Sequence, residues 1–238
     1  MKIGTILEDI IVNKSKWLQA RKGSEFEDRF EQQCKKNGFT RYLATDLKQE
    51  YKVEFTKIKK LIQDDYNTKP IDNILNKYPE CCNMFLTQPF GSQDYPDFLL
   101  FTDRYIVPIE IKYSTGSSTH PIWNGNLPKA NGVYIFGNYD KQDIALFKGD
   151  DILPNKERKQ LIEFWDKVKL EYKQNKIKIQ QQLKDDSVAF QYGFDVYIRK
   201  TFQQNKQLNQ NAITNLFEEP YKSDLETKLL QYIKGIDE

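Results

Sequence analysis

Asp97, Glu110 and Lys112 are residues of this chain whose types and spacing could do chemistry together. Glu110 and Lys112 stand two apart in Ile109-Glu110-Ile111-Lys112. In a strand such residues project from one face, while Ile109 and Ile111 turn the other way into a core. Asp97 opens the apolar run Phe98-Leu99-Leu100-Phe101, and Thr102-Asp103-Arg104 is a turn that would fold this run against Tyr105 to Tyr113. Asp97 then lies at the open end of a hairpin, across from Glu110. Two carboxylates converging on one point repel each other unless a cation sits between them, and hard oxygen ligands of this kind suit magnesium. The carbonyl of Ile111 is a candidate third ligand. Such an ion polarises a phosphodiester and acidifies a bound water, and Lys112 beside it would orient or help deprotonate that water. An exposed salt-bridge face explains the alternation of Glu110 and Lys112 equally well, but it leaves Asp97 unexplained.

Pro96-Asp97, twelve intervening residues and Glu110-Ile111-Lys112 resemble the PD-(D/E)XK nuclease superfamily. Gly91-Ser92-Gln93 shortly before this motif, and Trp123-Asn124-Gly125-Asn126-Leu127-Pro128 followed by Val133-Tyr134-Ile135-Phe136, are similar to segments of type II restriction endonucleases. The resemblance spans about residues 23–150 and leaves the C-terminal third unmatched. It implies sequence-specific, magnesium-dependent hydrolysis of phosphodiester bonds in double-stranded DNA, in the cytoplasm, with a cognate DNA methyltransferase encoded nearby and a homodimer as one possible assembly. A repair or structure-selective nuclease on the same scaffold is one alternative, and a catalytically silent DNA-binding protein is another. The resemblance also implies roles for single residues. Glu27 would be a helix glutamate reaching the metal, against a local reading in which Ser24 and Glu27 form a capping box. Ser92 and Gln93 would lie near the scissile phosphate or serve only as turn residues. Asn124, Asn126 and Lys129 would contact DNA from the loop after the catalytic strand, although Asn-Gly is also ordinary turn chemistry.

The elements that must hold these groups follow from periodicity. Helices are expected over Thr5 to Leu18, over Ser24 to Lys36 with Phe26, Phe30 and Cys34 on one face, and over Lys52 to Tyr66. Pro70 suits the first turn of a short helix reaching Tyr78. Strands are expected at Met84 to Leu86, Asp97 to Phe101, Tyr105 to Tyr113, Gly132 to Phe136 and Ile144 to Phe147. A long helix carries Leu161, Trp165, Val168, Tyr172, Ile179 and Leu183 near heptad spacing. A strand over Val188 to Arg199, a Gln- and Asn-rich loop and two short helices complete the reading. The expected fold is a single α/β endonuclease domain over residues 1–238: a restriction-endonuclease-like mixed central sheet, the N-terminal helices on one face and the long basic helix on the other. Its catalytic core would span about 23–150 and a C-terminal helical and strand elaboration about 151–238.

Composition narrows the setting. A hydrophobic fraction of 39% with charges of both signs is that of a folded domain. Apolar residues near the N-terminus are interrupted by Glu8, Asp9 and Lys14, so neither a secretory leader nor a membrane span is expected. Three cysteines, with Cys81 and Cys82 adjacent, make neither a disulfide framework nor a zinc clip, and they suit small buried hydrophobes in a reducing compartment. The single histidine, His120, reads as a solvated loop residue. A net charge of +2 announces no polyanionic partner, but residues 155–184 hold nine Lys or Arg against four acids. That basic helix suits phosphate contact, a dimer seam or core packing with solvated lysines behind.

Overall fold

The structure is a computed structural model that describes residues 2–124, 127–183, 201–202 and 213–238. Among the described residues seven strands form one mixed sheet. Its centre is the hairpin of β4 (Phe98–Phe101) and β5 (Tyr105–Ser114), after β1 (Thr40–Arg41), β2 (Ile71–Asp72) and β3 (Met84–Thr87). A two-residue strand, β6 (Trp123–Asn124), is followed by β7 (Val133–Asn138) and β8 (Asp143–Lys148). The sheet runs β1-β3-β4-β5-β7-β8, with β1 parallel to β3, β7 parallel to β5 and the other pairs of this path antiparallel. β2 pairs with the start of β5 through Ile71 and Ile106, and β7 takes over that edge of β5 from Ile109 onward.

Both faces of the sheet are covered, which is why its strands are apolar almost throughout. One face receives α1 (Ile3–Val12), α2 (Lys14–Trp17), α3 (Gly23–Lys36) and the C-terminal helix Tyr221–Asp237. Ile3, Ile6, Leu7 and Ile10 of α1 recur at helical spacing and pack with Phe26 and Phe30 of α3 against Val107, Ile109, Ile111, Val133, Ile135 and Leu146. The opposite face, with Leu86, Leu99, Phe101, Tyr134, Phe136 and Phe147, lies against α4 (Ala44–Glu50), α5 (Lys52–Gln63) and Leu216. No helix is long and apolar enough to cross a membrane among the described residues.

Several expectations are corrected. The first helix breaks at Asn13, where Asp9 accepts from Asn13 Nδ2 at 2.7 Å and from Trp17 Nε1 at 3.1 Å. Pro70 begins no helix. Ile71, Asn73 and Leu75 are buried in alternation, and the Asn73 side chain donates to Cys81 O and Thr102 O and accepts from Leu75 N, fixing an extended segment and turn beside β5. α4 escaped the sequence reading. The two short C-terminal helices are one helix of 17 residues; it buries Leu225, Leu229, Ile233 and Ile236, and Asp237 accepts hydrogen bonds from the first amides of α1.

Two further helices follow β8, the short α6 (Gly149–Ile152) and the long α7 (Asn155–Leu183), which makes the C-terminal helix α8. α7 does not cover a sheet face as expected. Leu161 and Ile162 join Leu127 and Leu153 in a small satellite cluster, whereas Phe164, Leu170, Ile177 and Ile179 are exposed. Its anchor is polar: Arg158 is fully buried and donates to Leu153 O at 2.6 Å, to Gly149 O at 3.2 Å and to Pro128 O. Arg158 therefore cannot be one of the phosphate-facing charges of the basic segment. The strand expected over Val188 to Arg199 and the Gln- and Asn-rich loop after residue 202 lie outside the described residues. Thr201–Phe202 form β9, which pairs antiparallel with β6.

Candidate active site

The hairpin register sets the site. Phe98 pairs with Ile109, so Asp97 and Glu110 are the next positions outward on the two strands. Asp97 is held twice: its carbonyl accepts from Gln88 N–H at 2.7 Å, and its Oδ2 accepts from Ile111 N–H at 2.8 Å. Glu110, only 9% exposed, lies on the sheet face of Tyr134 while Ile109 and Ile111 pack into the opposite core. Lys112, two residues on, donates from Nζ to Glu110 Oε1 at 2.6 Å. The second oxygen, Oε2 of Glu110, is buried without a hydrogen-bond partner. A buried carboxylate oxygen left in this state is costly unless something else binds it.

Glu27 joins the group from α3. The capping box expected of Ser24 and Glu27 does not form, because the helix starts one residue earlier, at Gly23, with Lys22 as its N-cap and no side-chain cap. Arg21 N–H instead donates to Glu25 Oε2 at 2.8 Å. Half-buried Glu27 is left near enough to Asp97 and Lys112 for their charges to act on it. Burial raises its carboxyl pKa to about 7, with help from Asp97 and Asp28 and against the pull of Lys112. Burial likewise pushes Glu110 up to about 7, with the charge of Asp97 adding to the rise and Lys112 and the Asp97 backbone opposing it. Asp97 is raised chiefly by burial, against the Ile111 amide and Lys112. Asp97 thus raises the pKa of both Glu27 and Glu110, a repulsion that a cation would relieve. Among the described residues no three His, Cys, Asp or Glu side chains form a closed metal cage. A bound ion would therefore rest on Asp97, Glu110, the Ile111 carbonyl and water.

Gln93, Tyr95, Trp123, Leu127 and Tyr134 close a cavity of about 70 Å³ around Glu110 and Lys112. That volume accommodates a few waters or a hydrated ion and excludes a nucleoside. Gln93 thus lines the cavity of Glu110 and Lys112, while Ser92 is exposed on the same loop. Lys129 does not present its charge outward as a DNA contact would. It is 4% exposed, and its ammonium donates to Gln63 O at 2.6 Å and Asp65 Oδ1 at 2.7 Å, so its role is to join this loop to the end of α5. Asn124 lies in β6, opposite Thr201, and Asn126 is outside the described residues. His120 is no solvated loop residue, since its Nδ1 lies 2.9 Å from Thr214 O and Thr119 Oγ1 donates to the same carbonyl at 2.8 Å. Phe217 stacks on Phe136, which ties this C-terminal segment and the Thr119–Trp123 stretch to the site face. Cys81 is buried and Cys82 half-buried, with both thiols free.

Tyr95, Trp123 and Tyr134 are site residues that the sequence reading missed. The pairing of Glu110 with Tyr134 across β5 and β7 brings the last of them in, and no short spacing in the chain reports a register between strands so far apart. Compared with protein-family models, curated proteins and solved structures, the chain matches none.

Proposed function

We propose that this protein is a magnesium-dependent endonuclease of the PD-(D/E)XK type that cuts double-stranded DNA at defined sequences, in the manner of a type II restriction enzyme. The observation that carries this reading is the unpartnered, buried Oε2 of Glu110, set beside Asp97 and the Glu110–Lys112 ion pair on adjacent strands of a mixed sheet.

The residues fit a hard divalent cation. Oδ2 of Asp97 is occupied by the Ile111 amide, so Oδ1 of Asp97, Oε2 of Glu110 and the Ile111 carbonyl are the oxygens available to it. When bound, such an ion supplies Lewis-acid polarisation of a phosphate and a water acidified towards neutrality. The chain's own groups do the rest. Lys112 holds Glu110 through Oε1 and offers its remaining ammonium protons to an attacking water and to the charge growing on phosphorus. Glu27, with its pKa near 7, is suited to take a proton from that water at neutral pH. The enclosed space is too small for a nucleoside, so the scissile phosphate approaches along the exposed Ser92 and Gln93 loop while its sugars and bases stay outside.

Purified protein on phage-length duplex DNA with magnesium should give discrete fragments, and EDTA or Asp97→Ala should stop the cutting. Cutting confined to mismatched, flapped or branched oligonucleotides would move the protein to a repair role on the same scaffold. Retarded bands with no fragments under magnesium or manganese would make it a silent DNA binder.

A further inference from the structure

We infer that Tyr95 positions Asp97, and that it can do so only because residue 132 is glycine. The inference rests on the reading of Asp97 as a metal ligand for its functional meaning, but its geometry stands alone. Tyr95 is 8% exposed and its ring stacks on Tyr134, with centroids 6.1 Å apart. Tyr134 resists a large displacement, because it is stacked on Phe147 at 5.4 Å and met edge-on by Trp123 at 5.1 Å. The Tyr95 hydroxyl reaches into a slot over Gly132, where a Cβ would lie 2.2 Å from Tyr95 Oη, more than 1 Å inside ordinary contact near 3.4 Å. Its next neighbours would be Tyr134 Cε2 at 3.0 Å and the Lys129 carbonyl at 3.2 Å, contacts that small shifts relieve. Gly132 does not have the left-handed backbone that favours glycine, so close approach is what requires it here.

Tyr95 is joined to Asp97 through Pro96 alone, whose ring leaves little torsional slack. On its other side Asp97 is fixed by Gln88 and Ile111. A shift of the Tyr95 ring by about 1 Å must be absorbed between these anchors, and a misplacement of that size at a reacting centre costs about a hundredfold in rate. The ring is a spacer, packed on Tyr134 and filling the slot over Gly132.

The test is a double-mutant cycle of Gly132→Ala and Tyr95→Phe, which separates the clash with the hydroxyl from any other consequence of the methyl group. One readout is the amide of Ile111, the donor to Asp97 Oδ2, followed by its NMR shift and hydrogen-exchange protection in the metal-free protein. The other is the affinity for Mn²⁺ by calorimetry. Gly132→Ala should displace the Ile111 resonance, lower its protection and weaken Mn²⁺ binding, each by about tenfold or more for the equilibrium quantities. The double variant should return to the Tyr95→Phe values, so that Gly132→Ala has no further effect once the hydroxyl is gone. An Ile111 amide unmoved by Gly132→Ala, or a double variant no better than Gly132→Ala, overturns the inference. Should Gly132→Ala fail to fold, a double variant that folds supports it and one that does not overturns it. If the parent binds no Mn²⁺ while the Ile111 amide follows the cycle, the metal reading falls and the positioning role stands.

Discussion

Replacing Glu110 by Gln should change how the stability of the metal-free protein depends on pH, and the size of the change follows from its environment. Glu110 ionises at about 7 in the folded chain against an ordinary value of 4.5, chiefly because burial penalises its charge. The unfolded chain therefore gives up this proton at lower pH than the folded one, so between about pH 4.5 and about pH 7 the native state binds more protons and loses stability as pH rises. Above pH 7 the penalty is complete. A shift of this size is worth on the order of 3 kcal/mol, of which about 2 to 3 kcal/mol develops between pH 5 and pH 8. Urea unfolding in EDTA at pH 5 and pH 8 measures this loss. The parent midpoint should fall by about 1 M more than that of Glu110→Gln, taking an m-value near 2 kcal/mol/M. Saturating Mg²⁺ should flatten the parent and leave the variant unchanged, since a cation on Oε2 removes the penalty. Parallel curves for the two proteins in EDTA would refute the account of Glu110 as a buried carboxylate awaiting a cation.

Lys112→Ala should abolish cleavage while gel-shift affinity for duplex DNA stays close to the parent; residual cutting within about tenfold, a loss of only ~1.4 kcal/mol in transition-state stabilisation, would remove it from the catalytic group. Because Glu27 caps nothing, Glu27→Gln should cost less than about 0.5 kcal/mol by urea unfolding yet lower cleavage at pH 7, and a loss of stability without loss of rate would return it to a local structural role. Arg158→Met should destabilise the fold by about 2–4 kcal/mol, since it orphans the carbonyls of Pro128, Gly149 and Leu153 in a buried position. The exposed lysines of α7 should behave differently: if they lie on phosphates, Lys167→Gln with Lys173→Gln will flatten the slope of log affinity against log salt by about 0.9 per lost contact and leave thermal unfolding unchanged.

Local pattern was enough to place the helices of Phe26, Phe30 and Cys34 and of Phe55, Ile58 and Ile62, and the strands of the β4–β5 hairpin, because each buries a face whose period is written in neighbouring residues. The pairing of Glu110 with Lys112, and the position of Asp97 at the open end of the hairpin, were legible for the same reason: strand alternation and a short turn connect them. Where one segment meets another distant in the chain, the pattern was silent or misleading. Ser24 and Glu27 looked like a capping box, and Lys129 and Arg158 looked like surface cations, because a sequence shows the type of a charge and not the carbonyls waiting for it. Pro70 looked like a helix start, until β5 offered Ile71 an edge to pair with. The wall of Tyr95, Trp123 and Tyr134, the slot over Gly132 and the unpartnered oxygen of Glu110 exist only once β5, β7 and the loops around them are in register. Type and spacing along the chain determined which groups could act; burial and register, which depend on residues far apart in sequence, decided which of them meet and what charge they carry.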